Sequence, residues 1–170
     1  KFISEPDFSL LKGDDFSLRA KYFQFNHGYA LNEGNDVAEF HDNPGLRDRF
    51  KGYSTYAKMS KGLYQRRAKG FESVVAYATA GDGDDARFFD SKENDQFDAS
   101  PTVSRMFSQA AGYDITAMAF DTVLARANSG GFDTASFTGG PNDDLLLAKR
   151  VSGVSGQTSP KTVMMDRDTN

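Results

Sequence analysis

Apolar and polar positions alternate with a period of two along most of the chain. In SVVAYATA, Val74, Ala76 and Ala78 fall on one side, and Val75 and Tyr77 on the other. In DARFFDS, Ala86, Phe88 and Asp90 alternate against Arg87 and Phe89. Runs of this kind, separated by Gly, Asn, Asp and Pro, predict short strands, because successive side chains of an extended chain point to opposite faces. YQRRAKGFESVVAYA comes nearest to a helical stripe, but its adjacent Val74 and Val75 favour a strand.

The same pattern recurs. NDVAEFHD, DDARFFD and FDTASFTG align Asp36, Asp84 and Asp133, then Ala38, Ala86 and Ala135, then Phe40, Phe88 and Phe137, at spacings of 48 and 49 residues. Outside that segment Phe23, Phe71 and Phe120 align, as do Leu11, Met59 and Met106. Asp48, Asp95 and Asp143 also share a column, two residues before Phe50, Phe97 and Leu145. Three copies therefore cover about 7–50, 55–98 and 104–147. Short strands in tandem copies predict an all-β fold, a parallel β-helix or β-solenoid in which each copy stacks on the next. A β-sandwich of Greek-key type is the alternative. Each copy is expected to form two coils of about 24 residues, with aligned residues such as Phe40, Phe88 and Phe137 above one another in one column about 9–10 Å apart. Gly28, Ala76 and Ala125 are expected to let the walls approach at a corner. Residues 1–150 form the repeat domain in this reading. The 151–170 segment, rich in Ser, Gly and Thr, reads as a linker or capping tail.

Composition narrows the function. The chain has 170 residues, 20 basic and 24 acidic, a net charge of −4 and a mean hydropathy of −0.58. This disfavours nucleic acid and membrane insertion as the chain's business. The absence of Cys removes disulfides and thiolate chemistry. The opening KFISEPDF, with neither an initiator Met nor a signal-peptide pattern, reads as that of a processed piece or fragment.

VVAYATAGDGDDARFFDSKENDQFDASPTVSRM at 74–106 and VLARANSGGFDTASFTGGPNDDLLLA at 123–148 resemble the tandem repeats of very large secreted and cell-surface proteins of planctomycete bacteria. The similarity covers about 50–150 well. It implies a secreted or cell-surface address and a repetitive, parallel β-helical scaffold, and it brings no established catalytic activity.

Candidate chemistry is sparse. Acid- and glycine-rich turns offer oxygen ligands for calcium, with Asp82, Asp84, Asp85, Asp95 and Asp143 as the residues to test. The competing reading is that Asp and Asn cap tight turns with their own side chains. Asp42 and Asp90 beside Arg87 suggest a carbohydrate-active site, a lyase or epimerase on acidic polysaccharide, although the third copy has Gly139 in their column. Arg66, Arg67 and Lys69 form a basic cluster peculiar to the second copy and read as solvated surface. His27 and His41 lack the partners of a triad or zinc site. Tyr29 and Tyr77 share a column and are expected to face outward, where they could stack on sugars. No catalytic residue and no required cofactor emerge. The expected function is a fibre, stalk or adhesin scaffold. Its expected partners are neighbouring repeats or identical chains end to end, with surface polysaccharide as a further candidate.

Overall fold

The computed structural model describes residues 1–31, 34–80 and 83–141. A compact unit runs from Lys1 to Gly139. Asp82, Asp143 and the 151–170 tail lie outside the described residues. The strands wind into a β-solenoid of about four turns, in keeping with the period-two pattern, and the described residues contain no helix. No helix is therefore long and apolar enough to cross a membrane among them.

The first two copies are visible as five-strand units, and four strands of the third are described. The first contributes β2 (Phe8–Lys12), β3 (Ser17–Lys21), β4 (Phe25–Tyr29), β5 (Val37–His41) and β6 (Arg49–Tyr53). The second contributes β7 (Tyr56–Lys61), β8 (Tyr64–Lys69), β9 (Ser73–Tyr77), β10 (Asp85–Phe89) and β11 (Gln96–Ala99). The third contributes β12 (Val103–Ser108), β13 (Tyr113–Met118), β14 (Thr122–Arg126) and β15 (Thr134–Phe137). Ahead of them, β1 (Phe2–Ser4) matches β6 and β11. Among the described residues, nine strands form one sheet in the order β15-β11-β12-β13-β9-β5-β1-β2-β3. Six form the other, in the order β14-β10-β6-β7-β8-β4.

The winding differs from the expected pair of coils per copy. Each copy opens with a hairpin, and each of the first two then crosses between the sheets three times: β3 to β4, β4 to β5 and β5 to β6 in the first. An odd number of crossings delivers the next hairpin to the opposite sheet. The hairpins β2-β3 and β12-β13 thus lie in the nine-stranded sheet, and β7-β8 in the six-stranded one. One copy makes one and a half turns. Aligned residues consequently change walls from copy to copy: Phe40 and Phe137 belong to one sheet and Phe88 to the other. Vertical neighbours are instead separated by the length of one turn, as in Phe40 against Ala76 on β9 and Phe88 against Ala125 on β14. The sheets are also mixed, since β2, β7 and β12 run antiparallel to both neighbours while the other pairings are parallel.

The inner faces carry the core. Phe2, Phe40, Phe50, Phe88 and Phe97 are buried, and their rings meet in sequence at centroid distances of 6.2, 5.9, 6.4 and 5.5 Å. Phe137 continues the line at 6.1 Å from Phe97. The aligned phenylalanines thus share one core, linked in a zigzag from wall to wall. The small-residue column of Gly28, Ala76 and Ala125 lies mid-strand, not at a corner. A side chain at Gly28 would meet the Phe2 ring, its Cβ only 2.6 Å from the nearest atom. At the exit of each hairpin, Tyr22, Gly70 and Ala119 share one left-handed conformation, with φ of 62, 80 and 61°. Glycine is required only in the second copy, where an added Cβ would stand 2.3 Å from the Ala30 carbonyl oxygen.

Candidate functional site

The acids of the repeat lie at the corners where strands begin. Six of these carboxylates reach a neighbouring turn and accept a backbone N–H, while Asp48 and Asp95 accept one within their own corner, from Asn43 and Ser91. Asp84 Oδ1 accepts the Asp48 N–H at 2.6 Å, and Asp121 Oδ2 accepts the Asp84 N–H at 2.8 Å. Glu72 Oε2 does the same for Asp36 at 2.8 Å, and Asp133 Oδ1 for Asp95 at 3.1 Å. At strand exits, Asp42 and Asp90 accept from Ala80 and Ser129 at 2.8 and 2.6 Å. A corner amide has no partner within its own strand, so a carboxylate from the next turn satisfies it and ties the turns together.

Three of the five acids singled out for calcium can therefore be placed. Asp84 and Asp95 are buried corner acids; Asp95 also accepts from Ser91 N–H, Ser91 Oγ and the Tyr113 hydroxyl. Burial, then the hydrogen bond to Asp95, pushes the Tyr113 phenol well above its usual range. Asp85 starts β10 and points outward, where the Arg49 and Arg87 Nε atoms each hold it at 2.7 Å. Burial pushes its carboxyl up, but those two hydrogen bonds outweigh burial and hold it below the ordinary carboxylate range. Among the described residues no group of three or more His, Asp or Glu is arranged to hold a metal.

Asp84 gives a test of the corner chemistry. Its Oδ2 is buried without a hydrogen-bond partner. Burial first pushes its carboxyl above the usual range, the Asp48 N–H opposes this, and the Asp42, Asp48 and Asp121 carboxylates add to the rise. A carboxyl with a raised folded-state pKa costs stability while ionised, and that cost is relieved as pH falls through the raised value toward the unfolded one. Asp84→Asn keeps an oxygen for Asp48 and removes the charge. It is expected to stabilise the fold by roughly 1 kcal/mol at neutral pH. The advantage over wild type should shrink on acidification toward about pH 4. Urea midpoints of the two proteins across that range provide the check.

The outer face of the six-stranded sheet carries a different chemistry. Along one row of paired residues stand Arg87 on β10, Lys51 on β6, Lys58 on β7 and Arg67 on β8, one cation per strand. Adjacent strands are about 4.8 Å apart, so the steps along this row are even. Beside it runs an aromatic row. Phe89 stacks on Tyr53 at 4.4 Å and 4°, and Tyr53 stacks on Tyr56 at 4.4 Å and 19°. The Arg67 guanidinium covers the Tyr56 ring at 4.4 Å, and Arg126 approaches Phe89 at 5.9 Å. Asp85 is the acid of this face, and Arg49 and Arg87 already engage it. Among the described residues, no carboxylate lies within ion-pair distance of Lys51, Lys58 or Arg67. The Lys51 ammonium is pushed below its usual range by burial, then by Lys58, Arg49 and Arg87.

The other wall has no such bias. There Arg105 pairs with Asp114 at 2.6 Å and Lys1 with Glu39 at 2.7 Å. Compared with known proteins, the chain matches no family model, no curated protein and no solved structure.

Several expected placements change. Asp42 and Asp90 are buried at strand ends while Arg87 points out, so they share no face with it. Of the cluster read as solvated surface, Arg67 and Lys69 do face outward, but Arg66 is buried in the core. Its guanidinium donates to the His41 and Ser4 carbonyls at 2.8 and 3.2 Å and stands 3.8 Å from Asp48. Tyr29 and Tyr77 both point outward, but on opposite walls, and Tyr77 is stacked on His41 at 4.9 Å. Glu72 and Asp121 were missed as corner acids. An acid followed by x-apolar-x-apolar or glycine marks every such start, in DVAEF, DRFKG, ESVVA, DDARF, DQFDA, DTVLA and DTASF. Within a copy these starts fall about twelve residues apart, a spacing shorter than the 48-residue repeat.

Proposed function

We propose that this chain is a stacking segment of a secreted or cell-surface repeat protein, a fibre, stalk or adhesin scaffold without catalytic activity. The observation that carries the reading is the state of the end columns. Phe71 and Phe120 are 8% and 7% exposed, yet Phe23 in the same column, at the end of the stack, is 62% exposed. At the other end Phe137 is 62% exposed where Phe40 and Phe88 are fully buried. These surfaces have the composition of a repeat interior, and another repeat is the object that would cover them. The terminal strands β3, β4, β14 and β15 also leave one edge each without a strand neighbour among the described residues.

Neighbouring repeats or identical chains, stacked end to end, are the partners in this reading. The resemblance to planctomycete surface arrays supports the extracellular address. No cofactor is needed, since the corner carboxylates have backbone amides to hold; calcium would be an addition to these corners. A lyase or epimerase finds less support, because Asp42, Asp84, Asp90 and Asp95 are occupied by amides of the scaffold.

Self-association is the test. Sedimentation velocity should show a mass that rises with concentration, and Phe23→Asp with Phe25→Asp should return the chain to monomer. A wild-type chain that stays monomeric throughout would sink the stacking reading.

A further inference from the structure

We infer that the outer face of the six-stranded sheet is a binding site for an acidic polysaccharide, lying across the strands along Arg87, Lys51, Lys58 and Arg67. The reading does not depend on end-to-end stacking, because the whole row lies within a single chain.

Three features carry it. The first is concentration of charge. A protein with a net charge of −4 gathers four cations in consecutive register on one wall. On the other wall the equivalent positions are mixed, with Glu39, Asp98, Thr116 and Leu10 beside Arg105 and Arg19. The repeat therefore does not demand these cations. The second is that the row is short of acids. Arg87 is held by Asp85 and Lys58 reaches only the neutral Gln65, while Lys51 and Arg67 have no acid within ion-pair distance among the described residues. Lys51 is crowded by three cations, and the Arg67 Nε is buried without an acceptor. An incoming anion relieves the crowding at Lys51 and pairs with the outer face of the Arg67 guanidinium. The third is spacing. One cation per strand gives a ladder whose step of about 4.8 Å is close to the length of one sugar ring in an extended chain. A uronic acid polymer carries one carboxylate per ring, and its screw turns every second or third one toward a given surface. A ladder with a one-ring step therefore offers a cation to each carboxylate that faces it.

The aromatic row decides against single-stranded nucleic acid. Bases bind such proteins by stacking on open ring faces. Here Tyr53 has a ring on each side, Tyr56 lies between Tyr53 and Arg67, and Phe89 lies between Tyr53 and Arg126. The stack is closed, and it serves as a stiff rail that holds the cation row in place.

The test is titration calorimetry at low ionic strength, using oligogalacturonate, its fully methyl-esterified form and polyuridylate. Wild type should bind oligogalacturonate and not the uncharged ester. The double variant Lys51→Gln, Lys58→Gln should weaken binding about tenfold or more. Lys51→Arg with Lys58→Arg should retain it, and Arg105→Gln on the opposite wall should leave it unchanged. The proposal is overturned if oligogalacturonate fails to bind, if the ester binds equally, if the Gln variant binds like wild type, if Arg105→Gln weakens binding as much, or if polyuridylate binds more tightly. Sedimentation of the Gln variant keeps this result separate from stacking, because its self-association should be unaltered.

Discussion

Arg66→Ala should lower the unfolding free energy by about 3–5 kcal/mol, the range for breaking a buried ion pair. The Arg66 side chain is 7% exposed, and it stands among the Ser4 and His41 carbonyls, the Met59 sulfur and the Asp48 carboxylate. Truncation leaves those carbonyls without their donor and the buried Asp48 without its cation. Arg66→Met would restore the volume and not the charge, so it should recover only part of the loss. Adding Asp48→Asn should recover more, since Asn can still accept from the Asn43 N–H while carrying no charge. The comparison separates a packing cost from an electrostatic one. Urea denaturation of the three variants reads it, and an Arg66→Ala protein within about 1 kcal/mol of wild type would contradict the account.

Phe50→Ala should cost a similar amount, about 3–5 kcal/mol. Phe50 is fully buried and touches Phe40 at 5.9 Å, Phe88 at 6.4 Å and Phe120 at 6.1 Å. It is the point where rings from three turns and both walls converge. Strands locked on either side cannot collapse into the gap, so the lost contacts and the cavity add. Phe50→Leu should recover more than half of the loss. Phe137→Ala, at the exposed end of the same line, should cost much less. Equal losses at Phe50 and Phe137 would show that the line does not act as a core.

Much of the fold was legible because it rests on local pattern. Alternation in SVVAYATA and DARFFDS placed Val74, Ala76, Ala78, Ala86 and Phe88 inward, and all five are buried. The acid- and glycine-rich turns were legible as breaks between strands, but the corners were expected at Gly28, Ala76 and Ala125, which lie within strands. Winding was not legible. Whether a copy crosses between walls an even or an odd number of times leaves the repeat length unchanged, so the period alone cannot tell one column from two alternating ones. The cation row was hidden for a related reason. Arg87, Lys51, Lys58 and Arg67 are scattered over 51–87 in sequence and become neighbours only when β6, β7, β8 and β10 pair. Arg66 was misjudged by charge. Its repeat partner Ile115, buried on β13, already pointed to an inward position that one copy fills with a guanidinium.

The half-turn left over in every copy makes a longer array a ribbon with two differently decorated sides. Odd-numbered modules would display their hairpins to one side and even-numbered modules to the other, so sequence drift in alternate modules tunes each side separately. One side could then grip a polymer while the other stays bare or grips something else. Such a strip could lie between two surfaces and hold both.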